Sequence, residues 1–261
     1  MRALAILCIA LGLAAPAARA QQAVDVPTRP GVTDRVLAID TPSPTAVVVL
    51  ISGGAGHLGI APNGVIRNDG NFLVRTRGQF AARGFAVVVP DVPSDRERPP
   101  YLRGFRASPE HAADLGAVIA WARARWGKPV WLVGTSRGTQ SAATAALDLH
   151  GAQAPDGFVL TSTILARSRN SAEEPPPLTE LDLTGVKQPV LVVHHAEDPC
   201  GVCPPALLPE LMKHLPPTAQ LETVTGGISQ GGACEAFSHH GYNGIEDRVV
   251  TDIAAWIRQH G

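Results

Sequence analysis

Short runs of apolar residues, most of them β-branched, recur along the chain and predict the strands of a sheet. Their continuous apolar character, without alternating polar positions, is typical of strands covered on both faces, as in a parallel sheet. We predict an edge strand at 32–40 and further strands at 46–51, 85–89, 130–133, 158–163, 190–194 and 221–224.

Helical patterns separate these runs. One helix is predicted to begin after Ser108, a favoured N-cap residue, with Pro109 in its first position. An Ala-rich stretch predicts a helix at 139–149, and apolar residues about one turn apart from Ile245 to Ile257 predict a final amphipathic helix. Strands alternating with helices indicate an α/β fold, with a doubly wound, mostly parallel sheet and right-handed crossovers.

The first twenty residues have the features of a secretory signal peptide. Arg2 supplies a positive charge, 3–15 is apolar, and Ala18-Arg19-Ala20 matches a small-x-small cleavage site. The apolar run is shorter than the roughly 20 residues that span a bilayer, so we expect cleavage after Ala20 and no stable membrane anchor. Residues 21–261 are then expected to form a single domain in the periplasm or outside the cell.

Composition and charge narrow the classes of function. Hydrophobic residues make up 45% of the chain and charged residues 17%, which suits a folded domain with a large core and argues against disorder. The formal net charge is −1 and the basic residues are scattered, so nothing indicates binding to nucleic acid or to an anionic membrane surface. We expect a small-molecule partner, and no oligomeric state is indicated.

The predicted mature chain has three cysteines: Cys200, Cys203 and Cys234. An odd number in an oxidising compartment predicts one disulfide and one free thiol. Our preferred pair is Cys200 with Cys234, and pairing of Cys203 with Cys234 is the alternative. Cys200-Gly201-Val202-Cys203 has the spacing of a redox motif, but flanking prolines and the absence of a following thioredoxin-like helix argue against that function.

A candidate nucleophile follows one of the predicted strands. Gly134-Thr135-Ser136-Arg137-Gly138 lies between the strand at 130–133 and the Ala-rich helix. Glycines two positions on either side of a serine permit the sharp strand-to-helix turn that raises its hydroxyl above the sheet. The sequence therefore predicts Ser136 as a nucleophile, and the alternative is a glycine-rich turn whose serine only caps the helix.

A serine nucleophile needs a histidine base that a carboxylate orients. Asp198 follows the strand at 190–194 and is the preferred acid, with Glu197 as its competitor. The loop before the final helix carries His239 and His240, and we favour His240 because Gly241 behind it permits a close approach. A Cys200–Cys234 disulfide would tie the loop of the acid to the loop of the base.

With these motifs in the order Ser, Asp, His, residues 32–260 resemble the α/β-hydrolases. The resemblance implies an oxyanion hole formed by the backbone N–H of Arg137 and by one from the loop after the early strand, Ser52-Gly53-Gly54-Ala55-Gly56. Gly54 is the first choice for that second donor and Ala55 the second. Ser52 stands where the family's loop commonly begins with His-Gly. His57 is interpreted as a residue of the site's rim.

We therefore expect an exported serine hydrolase that cleaves carboxylic esters through an acyl-enzyme, with Ser136, His240 and Asp198 as its triad. Peptidase or thioesterase chemistry on the same machinery, and a catalytically silent hydrolase fold used for binding, are the alternatives. No cofactor is expected. No metal is expected either, because adjacent His194 and His195 should point to opposite faces of their strand and no spacing matches a zinc signature.

Two segments bear on the substrate. Only 26 residues separate Thr163 from Val190, too few for a large lid domain, which predicts an open site. Residues 91–107 carry both charges, and their four arginines, Arg96, Arg98, Arg103 and Arg106, suggest either a solvated face or a rim that selects an anionic substrate. The acyl chain and the leaving group are not indicated.

Overall fold

The computed structural model describes residues 21–168 and 174–261. Eight strands and six α-helices account for most of the regular structure. The strands are β1 (Gln21–Arg29), β2 (Val32–Ile39), β3 (Val47–Ile51), β4 (Ala86–Pro93), β5 (Val130–Thr135), β6 (Gly157–Thr161), β7 (Val190–His195) and β8 (Gln220–Val224). The helices are α1 (Phe72–Arg75), α2 (Arg77–Ala82), α3 (Pro109–Trp126), α4 (Gly138–Asp148), α5 (Leu208–Lys213) and α6 (Glu246–His260).

All eight strands form one mixed sheet in the order β1-β2-β4-β3-β5-β6-β7-β8. The β1–β2 and β2–β4 pairs are antiparallel, and every pair from β4 to β8 is parallel. The prediction of a mostly parallel, doubly wound sheet is confirmed. Since parallel strands end at the same edge of the sheet, the residues that follow β3, β5, β6 and β7 are brought together there.

The sheet is covered by helices on both faces, which explains the continuous apolar runs. Alternate residues of β3 contribute to different cores: Val48 and Leu50 pack with α1, α2 and α6, whereas Val47 and Val49 pack with α3 and α4. The central strands are therefore buried on both sides, as predicted.

The helix boundaries follow local sequence signals. Ser108 caps α3 by accepting a hydrogen bond from the backbone N–H of His111 at 3.1 Å, and the helix ends where Gly127 adopts φ = 60°. The Ala-rich helix also forms, within one residue of its predicted limits, and the final helix begins one residue later and ends three residues later than predicted.

One strand was missed, and it changes the edge of the sheet. The strand predicted at 32–40 is β2, but β1 pairs outside it, so the prediction that β2 is an edge strand is wrong. Within β1 only Val26 is buried. An exposed, polar strand that pairs on one side only does not have the apolar run by which the other strands were recognised.

The predicted signal peptide, residues 1–20, lies outside the described residues. No helix in the part of the chain that the structure describes is long and apolar enough to cross a membrane. Between β6 and β7, the described residues form only a short 3-10 turn at Leu178–Glu180 and no lid domain.

Candidate active site

Ser136 lies on a tight turn between β5 and α4. Its φ of 53° is in the left-handed region, which side chains other than glycine seldom adopt. The flanking glycines are required by close backbone contacts: a Cβ on Gly134 would lie 2.6 Å from the carbonyl oxygen of Gly138, and a Cβ on Gly138 would lie 2.3 Å from that of Ile51. The local sequence thus permits the strained turn that the motif predicts.

The candidate base and acid are hydrogen-bonded to each other. His240 Nδ1 lies 2.9 Å from Asp198 Oδ2, and both side chains are buried. The other carboxylate oxygen of Asp198 accepts a hydrogen bond from the backbone N–H of Cys200 at 2.9 Å. With Nδ1 donating to the carboxylate, the lone pair of His240 Nε2 is left to accept a proton.

The competing residues lie elsewhere. The ring of His239 stacks on His195 with centroids 4.2 Å apart, and His239 Nδ1 is 3.9 Å from Glu197 Oε2. Glu197 is largely exposed to solvent. The structure therefore brings together the preferred pair, His240 and Asp198, and places His239 and Glu197 outside it.

Backbone contacts hold the loop that carries His240. A Cβ on Gly241 would lie 1.9 Å from the carbonyl oxygen of Ala236, so only glycine fits at that position. Ser162 Oγ donates to the carbonyl oxygen of His240 at 2.7 Å, and the backbone N–H of His240 donates to Ser238 Oγ at 3.1 Å. These contacts fix the loop against the end of β6.

Tyr242 is a supporting residue that sequence reasoning missed. Its hydroxyl donates to the carbonyl oxygen of Val193 at 2.7 Å and accepts from the N–H of Ser162 at 3.0 Å. Complete burial raises the pKa of this phenol far above its usual value, so the hydroxyl stays protonated. No sequence signal distinguished it from an ordinary core tyrosine.

Ser136 and His240 line one cavity of about 450 Å³. The other walls come from the loop after β3, from the start of α1 and from the segment before His240, with Gly54, Leu58, Phe72 and Phe237 among the lining residues. Asp198 is buried behind His240. The cavity therefore exposes the two groups that would react and hides the carboxylate that orients one of them.

Residues 52–56, here called the glycine-rich loop, pass beside the nucleophile. A Cβ on Gly53 would lie 2.9 Å from Ser136 Cβ, so glycine permits this close approach. Gly54 has φ = 58° and open space where a Cβ would be. Arg137 occupies the N-cap position of α4, whose first turn receives no side-chain cap. Of the two predicted oxyanion donors, Arg137 directly follows Ser136 in the chain, and Gly54 follows the contacting Gly53 and lines the same cavity as Ser136, as does Ala55.

A disulfide joins Cys200 to Cys234, the pairing that the sequence analysis preferred. It connects the loop after Asp198 to the segment before His240, and Cys234 itself lines the cavity. Cys203 is a free, buried thiol. Burial, with a further contribution from Asp198, raises the pKa of the Cys203 thiol well above its usual value, which argues against redox chemistry there.

Among the residues that the structure describes, two groups of side chains have metal-ligand spacing, and neither suits an ion. In the group of Cys200, Cys203 and His240, the sulfur of Cys200 is already in the disulfide. In the group of His195, Glu197 and His239, both ring nitrogens of His195 are engaged: Nε2 lies 2.8 Å from the carbonyl oxygen of Gly226, and Nδ1 accepts from the N–H of Glu197 at 3.0 Å.

The interpretation of 91–107 as a solvated or substrate-selecting face is wrong for Arg106. Only 1% of its surface is exposed, and its guanidinium contacts the glycine-rich loop from behind. Burial lowers the pKa of Arg106 to about 9, an effect to which the positive charge of Arg137 adds. Arg103 is exposed and forms an ion pair with Glu174 at 2.8 Å.

Comparison with known proteins identifies the fold. No protein-family model matches the sequence, and no curated protein sequence matches it. Solved structures do match. A dienelactone hydrolase from Anabaena variabilis matches at 16% identity, with 93% of this chain and 96% of that chain covered and a TM-score of 0.63. An esterase from Pyrococcus furiosus matches at 13% identity, with 93% of each chain covered and a TM-score of 0.64. A Xanthomonas campestris protein described as a serine hydrolase without lid matches at 17%, with 94% of each chain covered and a TM-score of 0.56. With the sheet order described above, these likenesses show that the chain has the α/β-hydrolase fold.

Proposed function

We propose that this protein is an exported serine hydrolase that cleaves carboxylic esters through an acyl-enzyme. The observation that carries the proposal is the buried hydrogen bond between His240 and Asp198 at the wall of a cavity that Ser136 also lines. Catalytic side chains on strand ends of this fold converge in the same way from distant parts of a chain.

In the proposed reaction Ser136 Oγ attacks the ester carbonyl carbon while His240 Nε2 accepts the hydroxyl proton. Asp198 holds the imidazole in the required tautomer and stabilises the imidazolium. The backbone N–H groups of Gly54 and Arg137 donate hydrogen bonds to the oxyanion, and each such donor is typically worth about 3 to 4 kcal/mol in the transition state. The alcohol leaves with the proton from His240, and a water activated by His240 then releases the acid.

The form of the cavity favours a small or medium-sized neutral ester. Leu58, Phe72 and Phe237 contribute apolar surface to its walls, and no arginine or lysine is among its lining residues in the described part of the chain. A neutral ester fits such walls better than an anionic one, which would need a cation to offset its desolvation. The esterase and dienelactone hydrolase among the structural neighbours are consistent with an ester substrate.

Export is part of the proposal. Residues 1–20 have the composition of a signal peptide, and a disulfide such as Cys200–Cys234 persists in oxidising compartments such as the periplasm and the extracellular medium. We therefore place the mature chain in one of these compartments.

The test uses the two adjacent histidines as a matched pair. Hydrolysis of a graded series of chromogenic esters is measured for the mature wild type, His240→Ala and His239→Ala. We expect His240→Ala to lose about 10³-fold or more in kcat and His239→Ala to stay within a fewfold of wild type, because His240 is hydrogen-bonded to Asp198 whereas His239 stacks on His195. Equal losses in both variants would contradict the assignment of the base.

The class of substrate that is turned over provides a second check. Absence of ester hydrolysis, with turnover of thioesters or peptides, would support the alternative chemistries. Absence of all turnover would favour a silent, ligand-binding hydrolase fold.

A further inference from the structure

The carbonyl groups of residues 52–55 in the glycine-rich loop face the segment 102–106. Arg106 Nη2 lies 3.0 Å from the carbonyl oxygen of Ser52, 3.5 Å from that of Gly53 and 3.3 Å from that of Gly54. The next carbonyl, of Ala55, accepts from the backbone N–H of Leu102 at 3.1 Å. Arg106 and Leu102 therefore donate hydrogen bonds to four consecutive carbonyl groups of this loop.

Peptide geometry then determines where the N–H groups point. In a trans peptide the C=O and the N–H of the following residue point in opposite directions across one plane. Since the carbonyls of Ser52, Gly53 and Gly54 face Arg106, the N–H groups of Gly53, Gly54 and Ala55 face away from it. The loop lines the cavity that contains Ser136, and Arg106 is not among the lining residues, so the N–H groups lie on the cavity side. Successive N–H groups turned to one side form a concave anion-binding surface.

Hydrogen bonds to α4 also hold Arg106 in place. Its Nη1 donates to Ser141 Oγ on α4 at 2.7 Å, and Ser141 Oγ is in turn 2.8 Å from Nε2 of the buried His111. Burial lowers the pKa of His111 to about 3, so the imidazole is neutral and accepts the hydroxyl proton of Ser141. Gly56 makes room for the guanidinium, because a Cβ there would lie 3.0 Å from Arg106 Nη2.

No ion pair among residues 21–168 and 174–261 joins a carboxylate to Arg106. A buried guanidinium without a carboxylate is costly, and its hydrogen bonds to carbonyl groups are its compensation. Its positive charge stands behind a row of peptide dipoles whose N–H ends face the nucleophile. The charge and the dipoles therefore produce a field of the same sign at the place where an oxyanion would form.

We propose that Arg106 is a positioning residue for the oxyanion hole, which orients the N–H groups of residues 53–55 toward the reacting carbonyl and strengthens their field. This inference rests on the proposed function, since an oxyanion forms only if Ser136 attacks a carbonyl or an equivalent group. Arg106 would thus orient the loop although it is remote in sequence and contacts neither the nucleophile nor the cavity.

A purely structural contribution of Arg106 would have a different signature. Loss of an ordinary core contact lowers the melting temperature and changes the fraction of folded enzyme, but it does not separate kcat from KM in the molecules that fold. Misdirected N–H groups weaken binding of the transition state more than binding of the substrate, so kcat falls while KM is nearly unchanged. Affinity for an alkylboronic acid, which forms a tetrahedral anionic adduct with a reactive serine, should fall in parallel.

The experiment compares Arg106→Met and Arg106→Lys with wild type and with Arg96→Met. Arg96 is a matched control from the same segment, since it lies over the ring of Phe105 at 4.2 Å and makes no contact with the glycine-rich loop. Melting temperature and active-site titration with a fluorophosphonate define the folded, reactive fraction to which every kcat is normalised.

We expect kcat to fall about 100-fold in Arg106→Met with KM within about threefold of wild type, and boronic acid affinity to fall by a similar factor. Arg106→Lys keeps the charge but cannot span the same carbonyls, so its loss of kcat should be smaller, about tenfold. Arg96→Met should behave as wild type.

A folded Arg106→Met enzyme with wild-type kcat and boronic acid affinity would overturn the inference. If Arg106→Met does not fold, wild-type kcat in Arg106→Lys would overturn it. Failure of the proposed function gives a different result, because wild type itself would then neither react with the fluorophosphonate nor hydrolyse esters.

Discussion

The disulfide between Cys200 and Cys234 should contribute strongly to the stability of the fold. The two cysteines are 34 positions apart in the sequence. In the chain-entropy model, cross-linking a loop of this length stabilises the folded state by about 4 kcal/mol, because it restricts the unfolded chain. For a domain of this size, that loss corresponds to a decrease in melting temperature of about 8 to 16 °C.

Opening the disulfide should also lower activity. One end lies two residues after Asp198, whose carboxylate accepts a hydrogen bond from the N–H of Cys200, and the other lies in the cavity wall before His240. The bond thus limits movement between the loop of the acid and the loop of the base. We expect kcat to fall about tenfold or more, because small displacements of catalytic groups reduce rates steeply.

The assay compares wild type with the double variant Cys200→Ala/Cys234→Ala, each with and without a reductant, by thermal melting and ester hydrolysis. Opening of the bond is verified by alkylation of the cysteines and intact mass. Wild type should become less stable and less active on reduction, whereas the double variant should have both defects already and not respond. Cys203→Ala keeps the disulfide and should still respond to reductant. Fully reduced wild type with unchanged melting temperature and kcat would refute the reasoning.

Two other predictions concern the nucleophile's neighbour and a partly buried acid. Gly53→Ala should lower kcat more than tenfold, because its Cβ would lie 2.9 Å from Ser136 Cβ. Gly78→Ala is the control and should leave kcat unchanged, because nothing lies within 4 Å of a Cβ there. Equal kcat in the two variants would contradict the prediction. Burial and the Asp252 carboxylate raise the pKa of Glu222 to about 7. The folded protein therefore binds this proton more tightly than the unfolded chain does, and the free energy of unfolding decreases as the pH rises from about 4.5 to 7. Glu222→Gln should therefore raise the free energy of unfolding at pH 8 by about 1 kcal/mol after allowance for solvent screening, with little change at pH 4. An unchanged melting temperature at pH 8 would contradict this prediction.

The central strands could be predicted because their signal is hydrophobic and local. Each residue of β3 is buried against one core or the other, so the strand is a continuous apolar run that needs no knowledge of its neighbours. β1 has no such run, since one of its edges is free and only Val26 is buried. A strand held mainly by backbone hydrogen bonds to β2 leaves little trace in side-chain pattern.

Within the site, the sequence could indicate those candidate residues whose positions depend on a local backbone constraint. Ser136 stands between glycines that a tight turn requires, and Gly241 behind His240 fits only because it has no side chain. Arg106 was assigned to a charged surface segment because its sequence neighbours are charged and nothing local indicates burial. Its partners, the carbonyls of residues 52–54, lie about fifty positions away along the chain. Contacts of that kind depend on the tertiary fold and have no sequence signature.

The most direct test of the account is covalent labelling of the proposed nucleophile. The mature wild type and Ser136→Ala are treated with a fluorophosphonate, and intact mass is measured on oxidised, folded protein. The account predicts a single adduct on wild type that is absent from Ser136→Ala. Equal labelling of both proteins, or no labelling of folded wild type, would contradict the claim that Ser136 is an activated nucleophile.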